Sequence, residues 1–392
     1  EWLMHRAANQ LKRKRGGQSG PRRMKVPSSQ RQMHRVQIWQ GGDPEWAFAL
    51  RKPDLPPEKL CLTEQPDACF RFFETLRSAS SAAFKKKQIL IDRNARPNGF
   101  ATIPGYVDFS YPSFISTAAA VILASEFERL SKAHGEVTPT VDLDRWNPDV
   151  FRKLYQIGFF EIVGITPKRH DVVIDEGDTR TMQIIGTKNA NDLEQVDNGI
   201  QNLCNFVNPD GEIPDDLIIN LLTGLAEAIA NVTGHAYPNW FNPEYPHINQ
   251  LWIAATADRA RKTLTVVVYD QGVTIPVTYP RMKRRDKVMT FLARALRGTP
   301  EFDFQNDGTY IRAAMRYGGS RTDQRHRGKG LPQIVEVVSR SGRGKLSVFS
   351  RGGWCIRNSD GRLRSGAVSS SIGGTLVEWV LELSPASVVA DQ

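Results

Sequence analysis

The sequence predicts an α/β protein, on three observations. Between about residues 85 and 165, short apolar runs alternate with apolar residues at helical spacing. A long helical pattern over Ile213–Tyr237 then precedes a buried strand, Leu264–Tyr269, a helix over Gly328–Ser339, and closing strands at Lys345–Ser350 and Gly374–Leu381. The 392 residues are 40% hydrophobic and 24% charged, enough for a sizeable core with the charge content of an ordinary folded chain. Residues 1–36 read as a basic, solvated tail, 37–167 as a smaller α/β domain, and 168–392 as a second, larger one.

The tail holds ten Lys and Arg residues against the single acid Glu1, a net +9 of the chain's +10. A basic tail on a nearly neutral body is either a flexible arm or an arm that contacts nucleic-acid phosphates. In the first domain, Ile89–Ile91 and Tyr106–Ser110 read as strands. Ser116 or Thr117 caps a helix running to about Ala133, with Ala120, Val121, Ala124, Phe127 and Leu130 on its apolar side. Val137–Val141 reads as a strand, Asn147-Pro148 as a helix start running to Gly158, and Phe159–Val163 as a strand.

Several classes are excluded by what the sequence lacks. The longest near-apolar run, Phe114–Ala124, is too short for a membrane span, and no secretory h-region follows the basic N-terminus. The four cysteines have no C-x-x-C or zinc spacing, and neither H-E-x-x-H nor G-x-S-x-G occurs. A cytoplasmic protein with reduced thiols is expected, with no membrane partner.

Chemistry concentrates in the second domain. Glu227, Asn231 and His235 lie at i, i+4 and i+8 on the apolar helix, forming one polar stripe that needs partners. The strand Leu264–Tyr269 runs into Asp270, with Gly272 two residues on. A carboxylate there can accept from an exocyclic amine, and the glycine lets a flat ring approach the backbone. Gly328, Lys329, Gly330 and Leu331 open a helix, where free backbone N–H groups suit phosphate oxygens. Gly373, Gly374 and Thr375 begin the last strand.

Taken in order, these four segments resemble the boxes of GHKL, or Bergerat-fold, ATPases, a family that includes histidine kinases, gyrase and anti-sigma serine kinases. "EAIANVTGHAYP" is closest to the anti-sigma kinase branch. The resemblance implies a two-layer α/β sandwich for the second domain, with ATP and Mg²⁺ as cofactors. It implies that Glu227 is the general base or water-positioning acid and that Asn231 holds Mg²⁺. It implies that Asp270, with Gly272, reads adenine and that Thr375 backs Asp270. Gly328, Lys329, Gly330 and Leu331 would wrap the phosphates, and Arg316–Arg327 would form a lid carrying Arg321, Arg325 and Arg327. Thr274 stands where the family's second glycine is usual, which narrows that turn. Over Lys87–Thr166, "VDFSYPSFISTAAAVILASEFERL" and "VFRKLYQIGFFEIVGI" resemble STAS domains of anti-anti-sigma factors, without an intact phosphorylatable Asp-Ser-x-Gly turn.

The reading expected from these likenesses is an ATP-binding regulatory protein. Slow Mg²⁺-dependent hydrolysis would control docking to the STAS-like domain or to a protein partner. A serine/threonine protein kinase is the second reading. A non-catalytic interaction protein with a nucleic-acid-binding tail is the third.

Overall fold

The structure is a computed structural model describing residues 33–39, 43–94, 99–188, 190–209, 215–278, 304–317, 330–341 and 343–383. It is α/β overall. In the N-terminal part, β1 (His34–Trp39) and β2 (Pro44–Ala49) form an antiparallel hairpin. Alternation along β1 turns Val36 and Ile38 inward. A two-residue strand β3 (Lys59–Leu60) precedes helix α1 (Pro66–Lys85), which starts with proline in its first turn and buries Phe70, Phe73 and Leu76. Strand β4 (Ala101–Ile103) runs parallel to β2, and β5 (Phe114–Ile115) parallel to β3. Helix α2 (Thr117–His134) is capped by Ser116, whose Oγ accepts from the Ala119 amide at 3.2 Å. Strand β6 (Thr140–Val141) completes a sheet of order β4-β2-β1-β6. Helix α3 (Pro148–Gln156) begins at Asn147, whose Oδ1 accepts from the Asp149 amide, and a short helix α4 (Phe159–Ile162) follows Gly158.

Several sequence expectations are corrected here. Ile89–Ile91 is irregular, because its pairing is limited to one bridge from Asp92 to Thr102. Tyr106–Ser110 is a loop with a single bridge from Val107 to Asp54. The Asp108 carboxylate takes the Ser110 amide and hydroxyl and closes a turn there. Phe159–Val163 is helical rather than a strand. Phe159 and Phe160 are adjacent and both buried, which a one-sided strand does not allow. Residues 34–36, assigned to the tail, belong to β1, and Val36 is in the core.

The C-terminal part contributes β7 (Thr179–Thr181), β8 (Ile185–Thr187), α5 (Leu193–Val207) and α6 (Asp215–Asn231). Strands β9 (Leu251–Asp258) and β10 (Thr263–Asp270) follow, then short α7 (Ile275–Thr278), α8 (Asp307–Tyr317) and α9 (Gly330–Ser341). The chain closes with β11 (Lys345–Ser350), β12 (Gly353–Asn358), β13 (Leu363–Ala367) and β14 (Thr375–Glu382). These eight strands form one sheet of order β13-β12-β11-β14-β10-β9-β7, with β8 also on β9, and every pairing is antiparallel.

Strand alternation sorts the sheet into two faces. Leu264, Val266 and Val268 of β10, with Ile253, Ala255, Val377 and Trp379, pack against α5, α6 and α9. Val267 and Tyr269, with Trp252, Phe349 and Leu376, point the other way, into a core shared with α2 and Phe70, Phe127, Trp146, Phe151 and Phe159. The C-terminal part therefore supplies a sheet and one helical layer, and the N-terminal part supplies a third layer. Val172 belongs to this shared core, so the core crosses the boundary drawn at residue 167. Asp216–Ala236 is long and apolar enough to cross a membrane, by length and composition alone. Its Leu221, Leu225, Ala228, Ile229 and Val232 lie in the core on the sheet.

Candidate functional site

Asp270 ends β10 and shares the parity of Leu264, Val266 and Val268, so its side chain lies on the helical face. Register sets Thr375 opposite it on β14 and Ser350 opposite Thr375 on β11. The result is a polar row, Asp270-Thr375-Ser350, across three strands at one end of the sheet. The Thr375 and Ser350 hydroxyls are 2.8 Å apart, and Ser350 Oγ also accepts from the Ile275 amide at 2.9 Å. Thr375 thus lies beside Asp270 by register, while its hydroxyl is engaged with Ser350.

Asp270 is 5% exposed, and among the described residues its carboxylate accepts one hydrogen bond, from the Gly272 amide at 2.8 Å. Burial pushes its pKa up to about 7, partly offset by that amide. Two glycines permit the close approach that builds this end. A Cβ on Gly272 would lie 2.3 Å from the Ala236 carbonyl oxygen, and one on Gly374 would lie 1.7 Å from that of Asp270. Thr274 follows in the same loop. Its carbonyl accepts from the Val277 and Thr278 amides and starts α7, and its buried hydroxyl has no partner among the described residues.

Helix α6 delivers the other half of the site. Beyond Asn231 the helix continues as a wider π-helical turn, Val232–Ala236, which holds His235. The widened turn reaches the Asp270 loop. The Ala236 carbonyl accepts from the Val273 amide at 2.7 Å, and the Tyr237 hydroxyl accepts from the Gln271 amide at 3.1 Å. Tyr237 in turn donates to the Gln250 carbonyl at 2.6 Å. Contact with the loop therefore runs through Ala236 and Tyr237, beyond Glu227 and Asn231. Both of those residues are half-buried on α6, and burial holds the Glu227 carboxyl above its ordinary pKa. The helix is less enclosed than its composition suggests, with Thr223 and Ala230 exposed and Ile219 62% exposed.

Gly330 and Leu331 form the first turn of α9. Gly328, Lys329, Arg321, Arg325 and Arg327 lie outside the described residues, as does the basic segment up to residue 32. Ser350, Tyr237 and Gln271 complete the site end without having been singled out from sequence. Ser350 was legible in principle, since it continues the inward parity of Leu346 and Val348. Tyr237 was not, because its role depends on the π-turn. Among the described residues, no group of three or more His, Cys, Asp or Glu side chains could hold a metal ion. No protein-family model matches the chain, and no curated protein matches it.

Proposed function

We propose that the chain is an ATP-binding regulatory protein of the histidine-kinase-like GHKL type, with Mg²⁺-dependent slow hydrolysis and an N-terminal STAS-like half docked on the back of its sheet. The observation that carries this reading is the convergence at one sheet end of the buried acid Asp270, the close-approach glycine Gly272 and Thr375, closed by the end of helix α6. Among the described residues Asp270 has one partner, and a carboxylate can accept more than one hydrogen bond, which suits the exocyclic amine of adenine. Mg²⁺ would be held largely by the phosphates and water, with Asn231 as the protein ligand, an arrangement this ion tolerates without a carboxylate cage. Glu227, with its raised carboxyl pKa, would accept the proton of the attacking water.

The kinase reading is weaker for a target within the same chain. The Thr117 hydroxyl is buried and meets the Thr256 hydroxyl at 2.7 Å. Thr256 pairs with Thr265, five residues back from Asp270 along β10, or roughly 17 Å. Ser116 and Thr117 therefore lie at the far end of the sheet from Asp270. A kinase of this kind would act on another molecule.

The test is a melting curve of the full chain with MgATP. At 100 times Kd the bound nucleotide adds about 2.7 kcal/mol. Asp270→Ala is expected to erase the shift. An unshifted wild-type curve at millimolar MgATP would overturn the reading.

A further inference from the structure

The two loops flanking Asp270 are gripped from behind by the N-terminal part. Strand alternation sends Gln271 to the face opposite Asp270. There its Nε2 donates to the Ser125 carbonyl of α2 at 3.2 Å. The second grip is on the turn before β14. Arg77 of α1 donates through Nη1 to the Ser371 carbonyl at 3.2 Å, and Glu74 accepts the Ser371 amide at 3.2 Å. Arg77 is itself held, since its Nε donates to Glu126 at 3.2 Å, and Glu126 is almost wholly buried. The turn is shaped to receive it: Gly373 has φ +81°, and a Cβ there would lie 2.2 Å from Arg77 Cζ. The next residue, Gly374, rests against the Asp270 backbone. A cavity of about 570 Å³ bordered by Arg77, Arg129, Gln271 and Gly373 leaves these loops room to shift once the grip is lost.

We propose that this grip links the two halves of the molecule: Arg77 is a positioning residue for the nucleotide site, and the local grip of α1 on the turn before β14 and occupancy of the site each favour the other. The proposal rests on the ATP reading above. Reciprocity follows from linkage, because a contact that favours the bound arrangement of the Asp270 loop is favoured by the ligand in turn.

Two measurements on the full-length chain decide it. In calorimetric titration with MgATP, Arg77→Ala is expected to weaken binding about tenfold, within the roughly 5–150-fold range of ordinary couplings. Arg77→Lys should recover part of the loss, and Gln271→Leu should weaken binding in the same direction. Lys153→Met, at the other end of the same seam, should leave affinity unchanged, which a general loosening of the interface would not do. In hydrogen exchange of the wild type, MgATP should slow α1 amides as well as residues 371–374. This readout does not depend on any variant folding. Unchanged affinity in Arg77→Ala, or α1 exchange insensitive to MgATP, overturns the linkage while leaving ATP binding intact. A wild type that binds no MgATP overturns the ATP reading itself, and the linkage with it.

Discussion

The two ends of the β9–β10 pair each hold an ionisable group, half-buried Lys153 at one and buried Asp270 at the other, and they satisfy it differently. At the far end, Lys153 donates to Thr256 at 2.7 Å and to Thr181 at 3.1 Å, and Thr117 closes on Thr256 at 2.7 Å. At the site end, Asp270 accepts from Gly272 and has hydroxyls as neighbours that bond to each other. Burial drives both groups toward neutrality, the lysine down to about 7 and the acid up to about 7. The difference lies in what remains to be bonded. Lys153 has two hydroxyl acceptors, one on β7 and one on β9, in a seam that holds the N-terminal part on the sheet. Asp270 has one protein partner among the described residues. Burial and a shifted pKa alone do not separate a structural group from a site group; among the described residues the two groups differ in their partners.

Chemistry gives the largest test of that contrast. Glu227→Gln is expected to lower ATP turnover by about 10²–10⁴-fold while MgATP affinity stays near wild type, because a general base acts on the nucleophile and not on the bound ground state. Lys153→Met should leave turnover unchanged. Phosphate release at the wild-type rate in Glu227→Gln would move the catalytic role away from α6.

Titration sharpens the contrast further, because the two groups have opposite signs. Asp270 is raised above its unfolded value of 3.8, so its contribution is fully present below that value and is lost as pH rises through about 7. Lys153 is lowered from 10.5, so its contribution is present above that value and is lost as pH falls through about 7. Unfolding free energy should therefore fall between pH 4 and 7 on account of Asp270, and rise between pH 7 and 10.5 on account of Lys153. Either slope approaches about 1.4 kcal/mol per pH unit at most. Denaturant melts across pH should show the first slope flattened in Asp270→Asn and the second in Lys153→Met. MgATP affinity should also weaken below pH 7 in the wild type, since an ionised carboxylate accepts from the amine more strongly than a protonated one. Identical pH profiles in both variants would remove the distinction between the ends.

The sequence was most legible where one strand or one helix carries the signal alone. Asp270 at a strand end, Ser116 as a cap, and Asn147-Pro148 as a helix start each depend on a few adjacent residues. The hairpin His34–Ala49 was legible through its alternation, yet it was masked by the basic residues that run up to Arg35. Phe159 and Phe160 misled because a run of large apolar residues reads as a strand, while a helical turn at the junction of three elements buries both. What no local pattern could contain is the third layer. Gln271 on Ser125, Arg77 on Ser371 and Lys153 on Thr256 join residues 100 or more positions apart. They follow only once α2 is laid across the sheet.

The smallest effect expected is at the far end, where function and structure are easiest to confuse. Ser116 lies where a STAS-like phosphorylation turn would stand, and in this fold its hydroxyl oxygen caps α2 by accepting the Ala119 amide. A cap of this kind contributes about 1 kcal/mol, so Ser116→Ala should lower stability by that amount. The loss should be the same with and without MgATP, because the cap is at the opposite end of the sheet from Asp270. If the far end were instead a phosphorylation site served by the same chain, incubation with MgATP would add phosphate at Ser116 or Thr117, detectable by mass spectrometry. Thr117 could take a phosphate only by leaving Thr256, so that outcome would also open the seam at Lys153. Unmodified Ser116 and Thr117 after prolonged incubation, together with a nucleotide-independent loss of about 1 kcal/mol in Ser116→Ala, keep the far end structural and leave ligand chemistry to the end that holds Asp270.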